Sequence, residues 1–309
     1  MLFCLFAPDI YSFVTLRLIQ GIAGAGGIVI SRSVAIDKFS GKELAKMLAV
    51  IGAINGVAPV AAPVIGGLLT GSVGWQGIFM ILLFIGILLG IGCIRFKESL
   101  PAEKRSKTGV WATFRSFGII VHNRRYMLYV FQLAFAQGIL FAYIASSPFI
   151  IQQHYGFSPF AFSICFAVNA VAIGVAAALS VKFRRTENGT LTGCVGMLVF
   201  AVLQMAALYS GCGFWTYELL MFALLFMMGL TFTASTTLAM DCERRYAGAA
   251  SALLGALCFA SGGIVSPLVG LGDILISTGV TFVICAVCSL LCALWAVKRT
   301  GPKVALCRI

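Results

Sequence analysis

Charge is scarce in this chain. Only 10% of its 309 residues are charged and ten of those are acidic, while 61% are hydrophobic and the mean hydropathy is +1.03. That mixture excludes an ordinary water-soluble core. All ten acids, Glu218 among them, fall in gaps between long apolar stretches or at their edges. Nothing inside the stretches pairs a nucleophile with a base or clusters His with acidic ligands, which leaves no basis for an intramembrane enzyme. The two histidines, His122 and His154, lie in gaps on opposite faces and form no metal site with each other. Eleven cysteines are spread through the apolar stretches and basic gaps, so they suit packing better than a disulfide framework.

What the chain has instead is apolar length. Stretches run from about Phe13 to Ser31, Met47 to Gly71, Trp75 to Ile94, Tyr126 to Gln152, Phe160 to Val181, Leu191 to Cys212, Leu219 to Met240, Ala249 to Leu271 and Ile274 to Val297. Each is long enough to cross about 30 Å of hydrocarbon as a helix. Twenty-one of the twenty-two Lys and Arg residues sit in alternate gaps, and the gaps near Asp9, Ser72, His154, Gly213 and Asp273 carry none. If the chain crosses at every stretch, those basic gaps share one face, which the positive-inside bias makes cytoplasmic. A formal charge of +12 distributed in this way is explained by topology and anionic lipid, not by nucleic acid. Only Arg17 lies within a span.

The chain also repeats itself. A shift of 204 residues, without a gap, aligns Ser31 with Ser235, Ala35 with Ala239, Asp37 with Asp241, Pro63 with Pro267 and Gly66 with Gly270. Same-sense repetition implies two halves related by an axis along the membrane normal. The second half holds six spans, so the first is expected to lack roughly three helices and about eighty residues at its front. Met1 to Pro8 then reads as the end of a helix. The expected organisation is a partial amino-terminal bundle over 1–95, a cytoplasmic connection over 96–125, a six-helix bundle over 126–298 and a tail over 299–309. Trp111, Phe114, Phe117 and Val121 suit either a helix in the headgroup region or an irregular loop.

Two stretches carry most of the functional information. In the first, Arg17 and Gln20 precede a run of small residues, Gly21, Gly24, Ala25, Gly26 and Gly27. A charge within a span faces a partner or a water-filled cavity, or else snorkels to the headgroups, and small residues at Gly21 and Ala25 admit a close helix. In the second, Gly52, Asn55, Gly56, Pro59, Pro63, Gly66 and Gly67 describe a helix whose prolines free the carbonyls of Asn55 and Pro59, with an echo around Gly262, Gly263, Pro267 and Gly270. A kinked, closely packed span is expected there.

These residues resemble the major facilitator superfamily, and within it the Bcr/CflA type of drug:proton antiporter. The Arg17, Gln20 and Gly21 pattern is similar to the superfamily's fourth-helix motif. The stretch from Gly52 to Gly67, above all Ala58-Pro59, Ala62-Pro63 and Gly66-Gly67, resembles the fifth-helix antiporter motif. Ser147-Pro148-Phe149 and the run from Ala247 to Ser251 match in the seventh and eleventh helices. The resemblance implies an all-α polytopic protein of two bundles, placed in a bacterial plasma membrane. It implies proton-coupled efflux of a small organic compound by alternating access, with protons and membrane lipids as further partners, no cofactor and a monomeric carrier. The basic motif between the second and third helices is absent, as is the first helix, where such antiporters commonly place the proton-carrying carboxylate. None of the acids present is an evident substitute.

Amides inside spans tend to face protein or a cavity, because an unpaired amide is unfavourable in lipid. Asn55, Gln132, Gln137, Asn169 and Gln204 qualify. Gln132 and Gln137, with Phe141 and Tyr143, form the preferred cavity group, although a structural bond between helices is an equal alternative for each amide. Asp241 and Glu243 beside Arg244 and Arg245 read as a solvated ion-pair cluster or, given the Asp37 counterpart, an interdomain lock. Two readings stand beside drug efflux: an inert truncated fragment, and a carrier of a metabolite.

Overall fold

The computed structural model describes residues 2–39, 41–95, 117–180, 182–183, 185–243 and 246–298, and for many positions between 25 and 72 the backbone alone. The interrupted charge pattern turns into helix wherever the apolar stretches fall. The elements are α1 (Leu2–Leu5), α2 (Ile10–Lys38), α3 (Gly41–Ile94), a short α4 at 117–122, α5 (Arg124–Pro148) with a π-helical extension Phe149–His154, α6 (Pro159–Ser180), α7 (Thr186–Tyr209), α8 (Phe214–Cys242), α9 (Ala247–Leu268) and α10 (Ile274–Lys298). All regular structure among the described residues is helical. Helix is the one open-ended conformation that satisfies every backbone group without water.

Polar side chains mark where several helices begin. Asp9 accepts from the Ser12 amide at 2.6 Å, Asp273 from Leu275 and Ile276 at 2.9 and 3.1 Å, Asn123 from Tyr126 at 3.2 Å and Ser158 from Ala161 at 3.2 Å. Each meets an amide that the helix itself leaves free. The Ser12 backbone bond holds the exposed Asp9 carboxyl below its ordinary value.

The chain divides into two units, Met1–Lys107 and Thr108–Ile309. In the first, α3 joins two expected spans and breaks at Gly74, whose φ of 64° and ψ of −178° are readily adopted by glycine alone. Phe13 of α2 meets Trp75 and Phe79 of α3 edge-on, with ring centroids 6.5 and 5.7 Å apart. The helix continues unbroken through Pro59 and Pro63, whose side chains, with those of Gly52, Asn55 and Gly56, lie outside the described residues.

In the second unit, three buried groups stack from one end of the bundle to the other. At one end, Ile120, Tyr126, Leu238, Ala250 and Ala296 bring together α4, the starts of α5 and α9 and the ends of α8 and α10. Tyr126 donates its hydroxyl to the Ala250 carbonyl at 2.6 Å, and Asn123 donates to Glu243 Oε1 at 2.6 Å. At the opposite end, Ile150, Ile151, Leu208 and Tyr217 gather the end of α5, the end of α7 and the start of α8. A middle layer including Ile139, Met197, Leu224, Leu225 and Phe282 fills the space between. The helices therefore alternate in direction, as the loop charges require. α4 takes the helical alternative at Phe117 and Val121, with Ile120 fully buried against the bundle, while Trp111 and Phe114 lie outside the described residues.

Small residues set the closest approaches. A Cβ at Gly229 of α8 would stand 2.5 Å from the Ile173 carbonyl oxygen of α6, and one at Gly193 of α7 would stand 2.8 Å from that of Met227. Large apolar side chains such as Leu89, Leu219 and Trp295 point outward, each at least 65% exposed. A lipid surround accounts for them.

The 204-residue register reappears in α2 and α8, both 29 residues long and 204 positions apart at either end. It lapses afterwards. α9 stops one residue past Pro267, whose carbonyl accepts from Val269 and Gly270, whereas α3 runs on past Pro63 to Gly74. Pro267 thus ends a helix, whereas its aligned partner Pro63 lies inside one.

Replacing Gly229 with Ala forces α6 and α8 apart and is expected to cost about 1–3 kcal/mol. A lowered thermal unfolding midpoint of the purified protein in detergent is the measurement; an unchanged midpoint refutes the close contact.

Candidate functional site

In the first unit the Arg17 surroundings are well defined. One turn of α2 places Arg17 and Gln20 side by side, and Arg17 Nη1 donates to Gln20 Oε1 at 3.1 Å. The guanidinium carbon also lies 5.5 Å from the centre of the Phe79 ring, a cation–π distance. Val14, Arg17, Leu18, Gln20 and Gly21 line a groove of about 510 Å³. Arg17 is exposed rather than sealed in. Among the described residues nothing would meet a Cβ on Gly21 within 4 Å. Gly66 is equally open, and Gly67 is half-buried.

In the second unit, α5 does not gather its candidates on one face. At about 100° per residue, Gln132 and Tyr143 lie nearly in line, whereas Gln137 and Phe141 belong to another stripe. Gln132 is fully buried, and its Nε2 donates to Ser289 Oγ of α10 at 3.1 Å while Ser289 donates back to the Gln132 carbonyl at 3.2 Å. Cys194 of α7 completes the contact at 3.4 Å. Gln132 is therefore a pin among three helices. Gln137 is half-buried without a hydrogen bond to a described residue. Phe141 rests where a Cβ on Gly262 would go, and its ring centroid is 5.8 Å from that of Phe259.

Tyr143 and Asn169 come together with a residue that the span boundaries concealed. Asn169, fully buried on α6, donates through Nδ2 to the Tyr143 hydroxyl at 3.1 Å and to Glu218 Oε1 of α8 at 2.8 Å. Tyr143 stacks on Phe166 with centroids 5.4 Å apart. Glu218 lies inside α8 because that helix begins at Phe214, five residues earlier than the apolar stretch. The signal was present in Phe214, Trp215 and Tyr217, the aromatic residues typical of a membrane interface.

Other candidates scatter. Gln204 is fully buried, and neither of its amide atoms bonds to a described residue. Pro267 is exposed at the end of α9. Glu243 is engaged within its own unit by Asn123; Arg244 and Arg245 lie outside the described residues. Tyr155 donates to the Cys212 carbonyl at 2.9 Å, and burial pushes its hydroxyl well above the ordinary phenol value. Among the described residues no group of three His, Cys, Asp or Glu is placed to hold a metal.

Comparison with known proteins gives this arrangement a context. The Major Facilitator Superfamily profile matches residues 1–267. An MFS-type transporter of Bacillus subtilis (strain 168), YdgK, is 37% identical over 279 residues, covering 88% of this chain and 69% of that protein. A bicyclomycin resistance protein homolog of Haemophilus influenzae is 29% identical over 84% of this chain and 66% of its own length. The chain thus spans about two thirds of these relatives. Among solved structures, a bacterial homolog of the human lysosomal transporter Spinster, inward-facing and unoccupied, matches with a TM-score of 0.70 at 18% identity, over 96% of this chain and 80% of that one. That last likeness concerns the fold alone.

Replacing Gln132 with Leu removes the tie among α5, α7 and α10. A loss of roughly 0.6–1 kcal/mol is expected, as for other hydrogen bonds between membrane helices. Chemical unfolding in mixed micelles measures it, and stability equal to or above the wild type would deny the pin its role.

Proposed function

The chain belongs to the Major Facilitator Superfamily and is a multi-span membrane carrier rather than an enzyme, and from that premise we propose that it exports small organic compounds in exchange for protons by alternating access. The observation that carries this proposal is Arg17, an intramembrane cation held toward a groove by Gln20 and Phe79. Unpaired charge inside a span is costly, so its presence points to a ligand or coupling role. The bicyclomycin resistance homolog among the relatives and the paired Ala-Pro motif at Pro59 and Pro63 favour a Bcr/CflA-type drug antiporter.

The basic ends of the helices are assigned to the cytoplasm on the positive-inside bias. Lys182, Arg185 and Lys298 then share that side with Arg124 and Arg125. His154, Cys212 and Asp273 face outward. Substrate contact is assigned to Arg17, Gln20, Asn55, Gln137 and Phe141, and the prolines and glycines from Gly52 to Gly67 are assigned to the conformational exchange. Aromatic rings and amides of this kind suit a lipophilic organic compound.

In an efflux-deficient bacterial strain producing the protein, ethidium should leave energised cells and be retained once a protonophore collapses the gradient. Retention in both conditions would defeat the export proposal. Arg17→Ala is expected to abolish drug resistance while membrane insertion persists; resistance equal to wild type would remove Arg17 from the mechanism. Pro63→Ala should slow proton-driven exchange without lowering the amount of folded protein, and wild-type exchange by that variant contradicts a conformational role for the proline.

A further inference from the structure

The two units differ in the charge that corresponding helices carry. α2 carries a cation, whereas α8, its counterpart 204 residues on, carries Glu218. Glu218 is half-buried; Oε1 is bonded to Asn169, while Oε2 is sealed from solvent with no hydrogen-bond partner. Two further polar atoms in the same place are equally unsatisfied: Oδ1 of the fully buried Asn169, and the hydroxyl of the fully buried Tyr217. Buried polar atoms without partners are costly, and two of these, Glu218 Oε2 and Asn169 Oδ1, belong to side chains already bonded to each other, which points to a group bound there in another state.

The titratable neighbours are few. Tyr143 approaches from α5 and Cys165 from α6, Tyr217 lies on α8 itself, and Tyr155 stands near Tyr217. No group from α7 or α9 interacts with the carboxyl, and no Lys, Arg or His does so among the described residues. Among the described residues no cation stands beside the carboxyl to balance its charge.

We propose that Glu218, with Asn169 and Tyr143, forms a proton-binding site in the half of the second unit opposite its basic helix ends. Protonation forms one O–H bond on the carboxyl and cancels one negative charge, the proton being drawn from and returned to water at that end. Asn169 fits both states. Its Nδ2 donates to the carboxylate as observed, and after a half-turn about χ2 its free Oδ1 accepts from the protonated acid. The site supplies, within this chain, the proton carrier that the span boundaries had hidden. It rests on the exchange proposed above only for what the bound proton accomplishes.

Infrared difference spectra of the purified protein in lipid, recorded as the pH is lowered, test the site without any transport assay. A carboxylic-acid C=O band should appear, vanish in Glu218→Gln and persist at a moved frequency in Glu218→Asp. Asn169→Ala keeps the carboxyl and should shift the band's midpoint by roughly one pH unit, the equivalent of one charged hydrogen bond. An identical band in Glu218→Gln, or an unmoved midpoint in Asn169→Ala if the Gln variant does not fold, overturns the proposal. So does a band abolished at constant pH when sodium replaces choline, because the site would then be a metal-cation site. Failed drug export with a normal Glu218 titration would count against the exchange and leave the proton site standing; normal export without the titration would do the reverse.

Discussion

Hydrocarbon offers no partner for a hydrogen-bonding group, and that single constraint organises this protein. Backbone amides and carbonyls must find one another within each crossing, so every apolar stretch becomes a helix and the caps are supplied by Asp9, Asn123, Ser158 and Asp273. Side chains obey the same rule. Gln132 bonds across to α10 and Tyr126 to the backbone of α9. With no hydrophobic drive between helices in lipid, their association rests on close contact, which is why Gly193 and Gly229 sit where another backbone passes.

Against that background the exceptions stand out. Arg17 is an exposed charge beside a groove, steadied by one amide and one aromatic ring. Glu218 is a buried acid with one oxygen bonded and one not. A carrier that exchanges unlike cargoes needs groups of this kind, whose charge is balanced only when something is bound. The two lie in different units and on corresponding helices, α2 and α8. Each unit thus carries one such charged group, of opposite sign, on helices that hold matching places in the 204-residue register.

Much of the fold was legible because hydropathy and the placement of Lys and Arg report on the same surround. The run from Thr186 to Tyr209 and the alternation of the second bundle follow from where charge is tolerated, and the break at Gly74 from the backbone freedom of glycine. Faces were harder to read. Gln132 and Gln137 are five residues apart, so one turns into the bundle and the other to its margin, yet both are simply amides in an apolar run. Glu218 is hidden in the sequence because the apolar run begins only after it, whereas aromatic residues extend α8 outward past it. Pro267 looked like the mate of Pro63, but Gly270 and Gly272 beyond it let the chain turn at once, with Gly272 at φ 81°. A proline alone does not state whether it bends a helix or ends one.

In the second unit the helices alternate in direction, so Arg124, Lys182, Arg185 and Lys298 fall at one end of the bundle, the end that the positive-inside bias assigns to the cytoplasm. Single cysteines introduced in place of Lys42 and Arg185, in a background without the native cysteines, report that geometry when intact cells and inside-out vesicles are treated with a membrane-impermeant thiol reagent. Both positions should react from the cytoplasmic side only. Reaction of the two from opposite sides would contradict the alternation and everything built on it.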